Sequence, residues 1–278
     1  MKSLNVIPRS VMIKGAGDIA TGVAHRLWQS GFDVIMLELA QPLVVRRTVA
    51  FAEAVYAGSA KVESVTARLC ASPENVYDYL ERREIPVLID FHGETIAALK
   101  PATIVDAIMA KRKKAVQIDD ALLVIGLGPG FTAGKDVHAV IETNRGHNLG
   151  KVIYTGSADE DTSDPAEVAG IGKERLLRSP ASGIFTPLKE IGDTVRAGEV
   201  VALVDKTIIK AATGGLVRGL LYPGLTVSEG MKVGDIDPRG RTVDYCTISD
   251  KARAVGGGVL EAILNRYHLG KDCSFSRH

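Results

Sequence analysis

The stretch Val11-Met12-Ile13-Lys14-Gly15-Ala16-Gly17-Asp18-Ile19-Ala20 constrains this chain more than any other, because it reads as a strand, a glycine turn and the start of a helix in direct succession. Residues 11–13 are an apolar run, and Gly15 and Gly17 remove Cβ atoms where the backbone turns or approaches a ligand. Ile19, Ala20, Val23, Ala24 and Leu27 then recur at helical spacing, so a helix starts near Asp18 with its free N–H groups facing the turn. Gly15-x-Gly17-x-x-Ala20 fits the dinucleotide fingerprint, in which Ala at the third position lets helix and strand pack closely. Gly31 suits the C-cap of that helix. A second strand over residues 34–37 ends on Glu38, 38 − 17 = 21 residues past Gly17. That is near the roughly 20-residue offset at which an acidic side chain accepts ribose hydroxyls. Gly15, Ala16, Gly17, Asp18, Ile19, Ala20 and Glu38 are therefore candidate cofactor-binding positions. The competing reading is a parallel βαβ unit whose glycines serve packing alone.

With 29 glycines in the chain, one such motif needs a context. A length of 278 residues predicts about two domains, and 46% hydrophobic residues fill sizeable cores. A formal net charge of +1 argues against nucleic acid as a partner. There is no uninterrupted apolar run of about 18 residues to span a membrane, and Met1-Lys2-Ser3-Leu4-Asn5 is not followed by the apolar region of a signal peptide. Cys70, Cys246 and Cys273 give neither a disulfide framework nor zinc-site spacing. A cytoplasmic location is the expectation.

Beyond Glu38, Arg46 and Arg47 sit where guanidinium groups can hold a phosphate bidentately, or where they are simply solvated. Residues 62–69 alternate as a strand, Ser72-Pro73-Glu74 opens a helix, and strands are predicted to end on Asp90 and Asp106. Lys111-Arg112-Lys113-Lys114 reads as a solvated run. Another strand, residues 122–125, enters a second glycine-rich loop whose Gly126, Gly128 and Gly130 predict exposed N–H groups around an anion. In the following segment His138 and Glu142 lie about 13 Å apart if the chain is extended, too far for one metal ion, so no metal site is predicted. Arg145 and His147 are candidates for an anion or substrate contact.

Character changes after the acidic stretch Asp159–Asp164. From Ser179 an internal repeat runs: Ala181-Ser-Gly183 matches Ala212-Thr-Gly214, and Gly192, Val195, Gly198, Val201 and Asp205 match Gly224, Val227, Gly230, Val233 and Asp237. Two interlocked glycine-punctuated halves resemble a biotinyl/lipoyl-carrier hammerhead. Lys206 lies in the turn between them without the Met-Lys-Met signature, which favours a docking module over a modified carrier. Ser249-Asp250 caps a last helix reaching Tyr267, interrupted by Gly256-Gly257-Gly258, where close backbone packing is expected.

The segments Lys14–Arg26, Gln41–Arg47 with Phe51–Tyr56, Gly126–Phe131 and Val140–His147 together resemble the YqeB family over almost the whole chain. Those proteins are similar at the Rossmann level to the XdhC group. What the resemblance implies is an accessory, maturation role for a selenium-dependent molybdenum hydroxylase. A molybdenum hydroxylase or its maturation machinery would then be the partner, and NAD, NADP or another nucleotide-bearing cofactor such as a molybdenum cofactor dinucleotide the ligand. An NAD(P)-dependent oxidoreductase is the alternative, with His138 and His147 as its only candidate acid–base groups. Catalysis and assembly as a homo-oligomer stay open. The expected fold is α/β: a Rossmann-like doubly wound parallel sheet over 1–178, the hammerhead-like β module over 179–240, and 241–278 returning as a helix to the first domain.

Overall fold

The computed structural model describes residues 9–90, 93–109, 116–160 and 167–268. The basic run at 111–114, part of the acidic stretch and Cys273 lie outside the described residues.

Strand β1 (Ser10–Lys14), helix α1 (Asp18–Gln29) and strand β2 (Asp33–Glu38) follow the strand, turn, helix, strand order. Two 3-10 turns lead to the single turn of α2 (Ala54–Ala57), then β3 (Ser59–Val62), β4 (Val65–Cys70), α3 (Val76–Glu81), β5 (Ile85–Ile89), α4 (Glu94–Leu99) and β6 (Thr103–Asp106). Strands β7 (Leu123–Leu127), β8 (Ala139–Ile141) and β9 (Val152–Ile153) complete one sheet in the order β3-β4-β5-β2-β1-β6-β7-β8-β9.

This sheet is mixed, which corrects the expectation of a doubly wound parallel one. Its inner strands run parallel, while β3 and β9 are antiparallel edges. The stretch at 62–69 does not form one strand, because Glu63 takes a left-handed conformation (φ +53°) and turns the chain into the β3–β4 hairpin. No helix links β7 to β8, so this crossover lacks the layer that a doubly wound sheet requires. Side chains alternate across β1. Val11 and Ile13 enter the core shared with α1, whereas Met12 packs with Val76 and Leu88 on the other face.

The remaining strands are β10 (Leu176–Arg178), β11 (Gly183–Pro187), β12 (Thr194–Val195), β13 (Val200–Val204), β14 (Thr207–Lys210), β15 (Gly215–Leu220), β16 (Thr226–Val227) and β17 (Lys232–Asp237). They form two four-stranded sheets, β10-β17-β15-β12 and β14-β13-β11-β16. Strands β11, β12 and β13 correspond to β15, β16 and β17 at an offset of 215 − 183 = 32 residues. Short strands are exchanged between the halves, β12 pairing with β15 and β16 with β11. Val195, Val201, Val227 and Val233 are buried in one core with Phe185 and Ile236. The fold class is thus corrected as a whole: a large mixed sheet joined to a pair of antiparallel sheets, not a Rossmann-like sheet with a hammerhead insert.

Helix α5 (Asp250–His268) runs unbroken through its three glycines. A Cβ on Gly22 would lie 2.6 Å from the Ala252 Cβ, and one on Gly256 would lie 2.9 Å from the Gly22 carbonyl oxygen. Glycine at both positions is what lets α1 and α5 approach so closely, and their pairing sets both N-termini at one end of the sheet.

Candidate functional site

The turn after β1 is braced from inside. Gly15, at φ +95°, donates its N–H to the Leu37 carbonyl, and a Cβ there would meet the Ala107 backbone at 3.3 Å. Glu38 accepts the Ala16 N–H on Oε2 and its neighbour Leu39 N–H on Oε1, both at 2.8 Å. Burial pushes the Glu38 carboxyl up, and these two hydrogen bonds oppose the shift. Thr21 donates its hydroxyl to the Ala16 carbonyl and accepts the Phe51 N–H. Gly17 stands at the N-cap of α1 and offers no side-chain cap, leaving the first amides of α1, Asp18 to Ala20, at the mouth of the turn.

The loop after β2 carries Arg46 over that mouth. Its side chain is only 9% exposed, and Nη1 lies 3.5 Å from Asp18 Oδ2. Nε and Nη2, the side-on fork of the guanidinium, are buried without a hydrogen-bond partner. Beside it Arg218, on β15, also buries an unpartnered Nε. Burial, and next the charge of Arg46, lowers the pKa of Arg218. Arg218 Nη1 is 3.8 Å from Asp237 Oδ2, and Arg239 holds the same fully buried carboxylate through Nε and Nη2 at 2.9 and 2.8 Å. A recess of about 330 Å³ adjoins them, lined by Arg218, Arg239, Thr247 and Ser249 among others. Asp250, in the first turn of α5, also lines it and forms a bidentate pair with Arg145, at 2.7 and 3.0 Å.

The antiparallel sheets are fixed to this loop by close contacts. A Cβ on Gly219 would meet the Val45 carbonyl at 2.7 Å. Arg47 donates Nε to the Leu220 carbonyl and pairs with Glu53. Tyr56 and Tyr222 stack with centroids 3.8 Å apart, and burial pushes the Tyr56 phenol up to about 12.

The other expected residues lie elsewhere. Gly126 and Gly128 accommodate side chains of the chain itself, since a Cβ on Gly126 would strike the Phe131 ring and one on Gly128 would sit 2.6 Å from Thr143 Oγ1. Gly130 has φ +102° in the same loop. His147 is exposed. Buried Glu142 accepts the Asn144 and Asp159 amides, and His138 accepts the Val124 amide, so the structure gives both a structural partner. Asp90 caps α4 through the Gly93 and Thr95 amides. Among the described residues, no group of three or more His, Cys, Asp or Glu side chains is placed to hold a metal ion. Arg218, Asp237 and Arg239 are not marked as site residues by the sequence, because their spacing in the repeat carries no motif.

Two of these carboxylates predict an acid limit. Burial pushes Asp237 up, but the Arg239 hydrogen bonds and charge and the Arg218 charge outweigh it and hold it below the usual range. Hydrogen bonding from Arg145 holds Asp250 at about 2. Because both folded values are depressed, the stability they contribute is complete above the ordinary carboxylate value near pH 4 and is lost as pH falls through the folded ones. The denaturant midpoint is therefore expected to drop below about pH 4. A flat midpoint down to about pH 2.5 would show that neither pair contributes.

No family model matches the chain. The uncharacterized protein YqeB of Escherichia coli (strain K12) is 53% identical over 260 residues, which take in 94% of this chain and 48% of that protein. The chain thus spans about half the length of the curated relative it matches. Solved structures with some likeness include an aspartoacylase family protein of Mesorhizobium loti (13% identity, 82% and 51% of the two chains, TM-score 0.22). A succinylglutamate desuccinylase of Silicibacter sp. gives 13% identity, 84% and 85% coverage and a TM-score of 0.24. At such TM-scores these likenesses support neither a fold nor an activity for this chain. They do not name a molybdenum-hydroxylase factor, and the relative carries no assigned role. The expected accessory function and its oxidoreductase alternative are corrected to the family alone: no comparison carries either role, and neither reading is retained. No helix among the described residues is long and apolar enough to cross a membrane.

Proposed function

The chain belongs to the YqeB family, and from that premise we propose that it is a binding protein for a phosphate-bearing small molecule, held at the mouth of the β1–α1 turn. The observation that carries this is the buried, unpartnered fork of Arg46. A buried guanidinium with two unpartnered donors is destabilising by roughly 1–3 kcal/mol for each unsatisfied group, more where charge is involved. Its Nε–Nη2 edge matches two oxygens of a phosphate or carboxylate. Uncapped α1 amides at the same mouth favour an anion, and Arg218 adds a second cation and a third unpartnered donor. Asp18 and Asp237 offset part of this charge without occupying the fork. Nucleotide-bearing cofactors, NAD and NADP among them, are the candidate ligands, with Glu38 as the group that would face a ribose.

Calorimetry with inorganic phosphate, pyrophosphate and NADP tests the reading. Arg46→Lys keeps the charge and loses the fork, so affinity is expected to fall at least tenfold, or about 1.4 kcal/mol. Arg46→Met should abolish binding while raising or preserving the thermal midpoint, because the unsatisfied donors disappear. Undiminished binding in the folded Lys variant, or no binding of any of the three probes to the wild-type chain, would overturn it.

A further inference from the structure

A second cleft, of about 890 Å³, opens on the opposite face of the sheet, the face that Met12 shares with Lys14. It is independent of the Arg46 site. That volume lies within the roughly 300–1,000 Å³ of small-molecule sites. Its walls combine the cationic ends of Lys14, Lys100 and Arg266 with apolar surface from Ile96, Pro101 and Leu122, the last 63% exposed at the edge. Two carboxylates, Asp119 and Asp120, also line it, but Asp120 Oδ2 already accepts the Gln117 amide.

His138 gives the cleft its directional group. The Val124 N–H donates to Nδ1 at 3.0 Å, and the His138 backbone N–H donates back to the Val124 carbonyl at 2.8 Å. Since Nδ1 is an acceptor, the imidazole proton resides on Nε2. Burial, and then the charge of Arg266, holds the imidazole below its ordinary pKa, so the ring is neutral near pH 7 and presents a fixed N–H donor. His138, Lys100 and Arg266 thus offer donors to a cleft that Ile96, Pro101 and Leu122 line with hydrocarbon, and Asp119 is the carboxylate whose charge reaches His138.

We propose that this cleft binds a small organic acid, its carboxylate taken by His138 Nε2–H with Arg266 or Lys100 and its apolar body lying on Ile96, Pro101 and Leu122. The probe is benzoate, with inorganic phosphate as the comparison arm, and the readout is the His138 imidazole resonance in a ¹⁵N-histidine-labelled sample of the full chain. A saturable His138 shift with benzoate is expected, absent with phosphate at equal concentration, and weakened at least fivefold in Arg266→Gln and Lys100→Gln. No shift with benzoate, an equal shift with phosphate, or unchanged affinity in both variants would overturn the proposal. Because phosphate binding at Arg46 is measured separately, this result is distinguishable from failure at that site.

Discussion

Replacing Asp237 by alanine is expected to destabilise the protein by about 3–5 kcal/mol, the range for breaking a buried ion pair by deleting one partner. Asp237 is fully buried and is the carboxylate that both Arg218 and Arg239 approach. Without it Arg239 can swing into solvent, since its side chain is 47% exposed, but Arg218 at 16% cannot follow. It would remain buried beside Arg46 with its nearest carboxylate gone and only the more diffuse charge of Asp235 to balance it. Adding Arg218→Met to Asp237→Ala should recover more than half of the loss, because neighbouring charges are not additive. Chemical denaturation of the two single variants and the double measures this. A double variant as unstable as the sum of the singles would show that Asp237 acts through packing and not through charge.

Adjacent glycines in α5 should respond with opposite signs. A Cβ on Gly258 would press into the Gly150 carbonyl oxygen and lie 2.9 Å from Ile141 Cγ2, whereas one on Gly257 meets nothing within 4 Å. Alanine gains about 1 kcal/mol over glycine inside a helix. Gly257→Ala is therefore expected to stabilise by about 0.5–1 kcal/mol. At Gly258 the same gain is exceeded by overpacking against backbone that cannot rotate away, which costs about 1–3 kcal/mol and occasionally more. A net loss of up to about 2 kcal/mol is expected there. Thermal denaturation of both variants is the measurement, and equal shifts in one direction would mean that α5 does not lie as closely on the β8–β9 connection as it does here.

Local signals were legible where one residue type has one use. The apolar run of β1, Gly15 and the helical spacing of α1 name their own structure, and Glu38 is recognisable at the end of β2. Valines and glycines at a constant offset likewise revealed that the second unit is built twice. Non-local partners were not legible. Gly126 and Gly128 read as an anion loop, yet their missing Cβ atoms make room for Phe131 and Thr143. The β3–β4 hairpin was hidden because a glutamate, not a glycine, adopts the left-handed turn at position 63. Arg46 was visible as a phosphate candidate. Its companion Arg218 was not, since it is a half-buried arginine within a strand, brought alongside by tertiary packing of the two units.

The exchange of short strands between the two halves also orders events during synthesis. When the ribosome has released β11, β12 and β13, only the β11–β13 pairing can form, because β12 and the open edge of β11 wait for β15 and β16. Strand β10, made still earlier, must wait for β17, the last strand among the described residues. The unit therefore stays open-edged on the nascent chain until Asp237 has emerged, and the Arg218 carboxylate partner is among the last groups to arrive. Truncations that stop short of residue 237 should consequently be aggregation-prone rather than partly functional, with unpaired edges seeking strands from other chains.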